Sequence, residues 1–424
     1  MSKTRVLAWG DYCASTGFGT VMSNIMRELD KTGKFDIDVV AVNYDGGPYD
    51  TQKWPGRVWP AISALRQQGP YSDLFGRQVF LDMIARGDYD VVFVIQDTFI
   101  VEPIAKQIRE IQAAKGNSFA TIFYYPFDCS PKPTWVTTAV AAFDYPVPYT
   151  KYARDETKVF LGEIADKFPY VYHGTNTSDF YPVSKEEKAQ LKKEFFGPFA
   201  DKFIVINVNR NQGRKDVGRS LLVLKELKRR GVEDVFFYMH MQETDFGGSI
   251  LGMAQAIGVS PETDFTIPNP QQFSAHSGFP IEVLNKLYNS ADAYLTTTLG
   301  EGWGLSITEA MAVGLPVVAP ANTSINEILG ENERGWKVSS GDSPTHWVTK
   351  ENDNDRIRPL VNVEKAADAI QEIMEGKNLE RAQAGYEWVI DLTWENVCKE
   401  WVSIFNKAVN KVKSTQLLKS KPND

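Results

Sequence analysis

The stretch GEGWGLSITEAMAVGLPVVAP, residues 300–320, sets one carboxylate on each side of a glycine-rich bend: Glu301 before it and Glu309 eight residues later. Ser306 and Glu309 have the spacing of a capping box, with Ser306 as N-cap, and Gly314 and Pro316 stop the helix about two turns on. The helix N-terminus follows Gly302, Trp303 and Gly304, so backbone N–H groups and the positive end of the helix dipole meet a loop with little side-chain cover. That combination is an anion site. The dipole supplies only about 0.3–1 kcal/mol when exposed and about 2 kcal/mol when partly buried, so a multiply charged phosphate also needs Arg or Lys nearby. Alone, Glu309 would only cap its helix and Glu301 would sit in a solvated loop. Position favours ligand binding, because the bend lies at the carboxyl end of a predicted parallel strand, the edge at which open α/β sheets take ligands.

The elements that must position this bend are legible as alternation. Short apolar runs alternate with amphipathic stretches, the pattern of parallel sheets covered by helices, which makes the chain α/β. In the first half TRVLAWG, DIDVVAV, YDVVFVIQ, ATIFYYP and YPVPYT are strand-like; in the second, FIVINVN, VFFYMHM, DFTIP and AYLTTT. Between the halves, VYHGTNTSDFYPVSKEEKAQLKKEFF passes through a polar turn into a charged helix opened by Ser184 and Glu187, a linker near residue 180. Two Rossmann-like units are expected, 1–180 and 181–394. Residues 46–73, rich in Gly, Pro and Trp, read as a long loop with at most one short helix. Trp394, Val397, Trp401, Ile404, Phe405 and Val409 recur at helical spacing, marking a long amphipathic helix.

Composition narrows the classes. With 424 residues, 43% of them hydrophobic and 24% charged, the chain suits two large domains, and no apolar run reaches membrane-helix length. Its first residues lack the apolar core and cleavage site of a secretion signal, and Cys13, Cys129 and Cys398 stand too far apart in sequence for a metal-ligand pattern, so a cytoplasmic, reduced protein without structural zinc is expected. The net charge of −8 argues against general nucleic-acid affinity, although NKAVNKVKSTQLLKSKP, at 406–422, is locally basic. The patterns DID, DYD and DND look structural, and none of His173, His240, His276 and His346 has a catalytic setting in the sequence.

YNSADAYLTTTLGEGWGLSITEAMAVGLPVVAP resembles the signature of the retaining GT-B glycosyltransferases that include sucrose synthase and glycogen synthase, with their Glu-x7-Glu motif. The resemblance implies a GT-B fold, two Rossmann-like domains facing a cleft, with a C-terminal helix, 395–424 here, crossing back to the first. It implies that Glu301 contacts donor-sugar hydroxyls, that Glu309 contacts the nucleotide ribose, and that amides at Gly302, Trp303, Gly304, Leu305 and Ser306 hold the diphosphate. NVNRNQGRKD resembles the family's Arg-x4-Lys pair, so Arg210 and Lys215 would neutralise the leaving diphosphate; fixed cations there count for more as charge grows in the transition state. Gly17 and Gly19, in DYCASTGFGT, correspond to the glycine-rich loop that contacts donor phosphate and acceptor. HGTNTSDFYP is similar to the interdomain stretch, with His173 structural, and Trp394-Glu395 to a late Trp-Glu element. Many members carry a histidine near the fourth strand, where this chain has YYPFDCSPKPTW; there Asp128 either contacts sugar or acceptor or caps the following turn. GT-B enzymes generally need no metal.

The expected function is therefore retaining transfer of a hexose-type sugar from a nucleotide diphosphate sugar, a UDP-sugar first, to a hydroxyl acceptor that is a saccharide or small metabolite, without cofactor or metal. Donor would be bound by the second domain and acceptor by the first. Three alternatives stay open: a DNA glycosyltransferase acting on hydroxymethyl-pyrimidine bases, a non-catalytic nucleotide-sugar binder, and a dinucleotide oxidoreductase.

Overall fold

Runs such as VVFVI and ATIFYY have no polar face to offer water, so they are stable only inside a sheet covered on both sides. The computed structural model, which describes residues 3–62, 73–269 and 279–419, places them so. The chain forms two compact units, one ending at Gly174 and resumed at Trp394, the other Thr175–Thr393.

The first unit is built on β1 (Thr4–Asp11), β2 (Phe35–Val42), β3 (Arg57–Pro60), β4 (Val91–Ile95), β5 (Ala120–Tyr125) and β6 (Tyr145–Pro148). All pair in parallel, in the order β3-β2-β1-β4-β5-β6. Its helices are α1 (Gly17–Lys31), α2 (Arg77–Arg86), α3 (Thr98–Val101), α4 (Ala105–Ala114) and α5 (Lys151–Leu161). On one face Leu7, Trp9, Val92, Val94, Phe123 and Tyr125 pack with Phe80, Ile84 and Ile108. The other face takes the chain's late helix: Trp401 meets the rings of Phe93 at 5.4 Å and Tyr124 at 4.6 Å, and Phe405 those of Phe35 and Phe93. All six residues expected on that helix's apolar face are buried. Of the basic stretch that follows, Lys411 pairs with Asp144 at 2.7 Å and lies over the Tyr145 ring; residues 420–422 lie outside the described residues.

The segment 46–73 differs from the loop expected: it contains β3, whose Arg57 binds Asp38 at 2.6 Å and Asp36 at 3.0 Å on the neighbouring strand. Its portion 63–72 lies outside the described residues, as does His276.

The second unit restarts after α6 (Lys185–Phe196), where the Ser184 hydroxyl caps the helix by accepting from Glu187 N at 3.1 Å, as its sequence indicates. Its strands are β7 (Phe203–Val208), β8 (Val235–His240), the antiparallel hairpin β9 (Thr244–Asp245) and β10 (Gly248–Ser249), then β11 (Phe265–Thr266), β12 (Ala293–Leu295), β13 (Val317–Pro320) and β14 (Trp336–Val338). A second hairpin joins β15 (Trp347–Thr349) to β16 (Ile357–Pro359). Helices α7 (Val217–Arg229), α8 (Ile250–Ile257), α9 (Ile281–Asn289), α10 (Leu305–Ala312), α11 (Ile325–Leu329), α12 (Val363–Met374) and α13 (Glu380–Asp391) precede α14 (Trp394–Lys419), the late helix of the first unit. The second parallel sheet runs β11-β8-β7-β12-β13-β14, the same topology as the first. In each sheet the winding reverses beside the first strand, between β1 and β4 and between β7 and β12, and α/β sheets receive ligands at the carboxyl side of such a reversal. Among the described residues no helix is long and apolar enough to cross a membrane.

Candidate functional site

The loops leaving β7 and β12 meet at the reversal point of the second sheet. After β7 the chain makes a single 3-10 turn, Gly213–Lys215, and enters α7 through Asp216, which holds φ +46°. That left-handed residue is fixed from three sides: Thr297 Oγ1 donates to its carbonyl at 2.9 Å, and Arg219 and Lys350 reach its carboxylate at 3.2 and 3.4 Å. Leu299 N donates to the Arg214 carbonyl at 2.8 Å, tying one loop to the other.

The result is a clamp on Glu301. Lys215 Nζ stands 2.5 Å from Oε1, Arg214 Nη1 stands 3.1 Å from Oε2, and Arg214 also donates to the Gly300 carbonyl. Glu301 is only 7% exposed. Burial alone would raise its pKa, but the charges and hydrogen bonds of Lys215 and Arg214 outweigh it and push the carboxyl down to about 2. It is a fixed anion at neutral pH, and its two cations stand partly buried beside it.

The bend is held from beneath. Glu301 N donates to Thr323 Oγ1 at 2.9 Å, and the buried Ser324 hydroxyl donates to the carbonyls of Glu301 and Trp303 at 2.8 and 2.7 Å. Those bonds consume the carbonyls of the turn. The helix α10 begins at Leu305, with Gly304 as N-cap at φ +114°, a conformation that a side chain would strain. This corrects the capping box: Ser306 lies inside the first turn, and its hydroxyl pairs with Tyr294 OH at 2.8 Å. No side chain caps α10; Ile307 N and Thr308 N donate to the Gly304 carbonyl at 3.0 and 3.3 Å, which leaves the Leu305 and Ser306 N–H groups at the helix start for an anion. Glu309 accepts from the buried Tyr288 hydroxyl at 2.9 Å. Burial, aided by the charge of Asp179 and opposed by that hydrogen bond, pushes Glu309 up to about 7.

The expected site residues divide accordingly. Glu301, Lys215, Gly302, Trp303, Gly304, Leu305, Ser306 and Glu309 belong to one bend and its flanks. Arg210 does not reach the clamp: its guanidinium binds Asp245 of the β9–β10 hairpin at 2.7 Å and lies against the Phe246 ring. Arg214 takes the place beside Lys215, the two reaching different oxygens of the Glu301 carboxylate. Gly19 N donates to Thr16 Oγ1 at 3.0 Å, and a Cβ there would lie 2.4 Å from the Ala14 carbonyl, so this glycine serves its own turn; Gly17 opens α1 beside it. Asp128 lies half-buried in the loop after β5, where burial first, then the charge of Glu156 and least that of Asp128, push the Tyr152 hydroxyl up. His173 is buried among Tyr149, Tyr124 and Trp394, and desolvation lowers its pKa to about 3. Tyr288, Thr323 and Ser324 went unnoticed in the sequence; only Tyr288 left a trace, as the first residue of the signature stretch.

Residues 273–352 match the family model described as glycosyl transferases group 1. The putative glycosyltransferase EpsD of Bacillus subtilis (strain 168) is 28% identical over 173 residues, which is 40% of this chain and 41% of that protein. The D-inositol 3-phosphate glycosyltransferase of Corynebacterium urealyticum is 25% identical over 155 residues, 36% of this chain and 30% of that one. The matches thus span less than half of either relative. Among solved structures, Anabaena HepE in complex with UDP and glucose superposes with TM-score 0.67 at 14% identity, over 95% of this chain and all of that one. Sucrose-phosphate synthase from Thermosynechococcus elongatus gives TM-score 0.69 at 17% identity, over 96% and 99%. The fold is that of GT-B glycosyltransferases.

Proposed function

We propose that this chain transfers a hexose-type sugar from a nucleotide diphosphate sugar, a UDP-sugar first, to a hydroxyl acceptor, with retention of the donor's anomeric configuration and without a metal. One observation carries the reading: the Lys215–Glu301–Arg214 clamp sits against a bend whose N–H groups open the helix α10, at the reversal point of a parallel sheet. The match to a glycosyltransferase family model over this bend, and the UDP-sugar bound by a neighbour of the same fold, support it.

In this reading the first-turn amides of α10 take the diphosphate, Glu309 takes the ribose hydroxyls, and Glu301 takes sugar hydroxyls while keeping Lys215 and Arg214 in place. The bond between the anomeric carbon and the phosphate oxygen breaks with its electron pair going to that oxygen. Lys215 and Arg214 stabilise the growing charge, the role a metal ion fills in other transferases. The acceptor oxygen bonds to the anomeric carbon, and its proton passes to the departing phosphate. Arg210 joins only by leaving Asp245. Asp128, Gly17 and Gly19 would serve the acceptor end.

Mass spectrometry of reactions with a panel of UDP-, GDP- and ADP-sugars tests the proposal. The expected result is release of nucleoside diphosphate with a product heavier by one hexosyl group, its anomeric coupling matching the donor's. Failure of every panel member to bind or react would overturn it.

A further inference from the structure

The first sheet reverses its winding between β1 and β4 just as the second does between β7 and β12, and its carboxyl edge is furnished differently. The strands approach closely there: a Cβ on Gly10 would lie 2.5 Å from Ile95 Cγ2. The register Trp9 to Val94 and the approach of Gly10 to Ile95 bring Asp11, the last residue of β1, and Gln96, the first after β4, to the same edge of the sheet. Asp11 is 8% exposed; Thr16 Oγ1 donates to it at 2.6 Å and Asn43 Nδ2 at 3.0 Å. Gln96 is 3% exposed, and its Nε2 has no hydrogen-bond partner among the described residues. The hydroxyl of Tyr149, on the neighbouring side of the same edge, is likewise buried without one, and it feels the charges of Asp97 and Asp11. A buried amide left unmatched is costly, so this edge is arranged for an oxygen that the protein itself does not supply.

The charges at the edge say which oxygen. The loops leaving β1 (12–16) and β4 (96–97) contain no Lys or Arg and add Asp97 to Asp11, while the loop leaving β2 (43–56) holds Asp45 and Asp50 with Lys53, whose ammonium lies over the Trp54 ring. After β5, Lys132 is accompanied by Asp128, and after β6, Lys151 is bound to Asp155 at 2.5 Å. An amide N–H2 wants an acceptor and a carboxylate wants a donor; a hydroxyl is both, whereas a phosphate only accepts and carries the same sign as the carboxylates. Half-buried Phe18, near Tyr149, and exposed Phe99 add apolar faces suited to a sugar ring.

We infer that the carboxyl edge of the first sheet, through Gln96 and Asp11, binds an uncharged polyhydroxyl ligand and discriminates against its phosphorylated form. Given the transferase reading above, that ligand is the acceptor. The selectivity is a property of this edge alone and is measurable without turnover.

Ligand-observed saturation-transfer NMR on the full chain tests it, with glucose against glucose 6-phosphate and myo-inositol against its monophosphate. The expected result is transfer to at least one neutral member, with its phosphorylated partner bound about tenfold more weakly or not at all. Gln96→Leu should abolish the signal, and Asp11→Asn should narrow the discrimination, both with unaltered melting and unaltered affinity for UDP-glucose. Equal or stronger binding of the phosphorylated members, no binding of either neutral one, or indifference to Gln96→Leu overturns the inference. Absence of UDP-glucose binding in the unmodified protein would instead count against the transferase reading, leaving the selectivity measured.

Discussion

The two parallel sheets share one strand order and are furnished with different side chains at their carboxyl edges. Behind β7 stand Arg210, Arg214 and Lys215 with one buried glutamate between two of them; behind β1, β2 and β4 stand Asp11, Asp45, Asp50 and Asp97 with Lys53 alone among them. Topology alone therefore fixes where each unit can take a ligand, while a few loop residues decide its chemistry. On the readings proposed above, the second edge takes a diphosphate and the first an uncharged hydroxyl ligand.

The largest effect expected is on the first unit's stability. Trp401 is fully buried against Phe93 and Tyr124, so Trp401→Ala should cost about 3–5 kcal/mol, lowering the first unit's thermal transition. Calorimetry should find UDP-glucose protection of the second unit preserved at temperatures where the first still holds; loss of both together would break the division. Next comes Lys215→Ala, expected to lower kcat about 100- to 1,000-fold with a smaller change in KM, as for removal of one charge-stabilising donor. Wild-type turnover in that variant would remove Lys215 from the leaving-group role.

Acid and base separate the two glutamates. Glu309, raised from 4.5 to about 7, favours its protonated form in the folded chain, so its contribution to stability is present below about pH 4.5 and lost as pH rises through 7. Glu301, lowered to about 2, contributes above 4.5 and loses that contribution as pH falls toward 2. Ionised Glu309 is the better acceptor for ribose hydroxyls, so UDP-glucose affinity should rise about tenfold from pH 6 to pH 8, and Glu309→Gln should flatten that profile. A variant with an unchanged profile would assign the titration elsewhere. The smallest effect concerns Arg210, whose side chain is half exposed and bound to Asp245. Arg210→Ala should change kcat less than about fivefold, in line with an exposed ion pair; a loss comparable to that of Lys215→Ala would show that it leaves the hairpin during catalysis.

The fold was legible because the buried strands are unbroken apolar runs bounded by helices. The strand β3 was hidden because RVWP is short, half exposed and set in a Gly- and Pro-rich segment; its place comes from Arg57 binding Asp36 and Asp38 across the sheet edge, a long-range contact no local pattern records. The bend was legible as glycines before a short helix, but its cap was misplaced by two residues: Gly304, at φ +114°, starts the helix before Ser306 is reached. Arg214 was indistinguishable from surface charge, since its meaning depends on a 3-10 turn and on Asp216 being locked from Thr297, Arg219 and Lys350, three separate parts of the chain. Gln96 carried no signal at all; an amide after a strand is ordinary until its burial is known.

The return of α14 to the first unit makes the second unit an insertion within the first. Residues 175–393 are continuous and can condense as soon as they are synthesised. The first sheet, by contrast, is left with the Phe93 and Tyr124 side of its core uncovered until Trp401 and Phe405 emerge from the ribosome. The domain begun first is thus completed last, with that part of its hydrophobic face awaiting its cover until α14 is made.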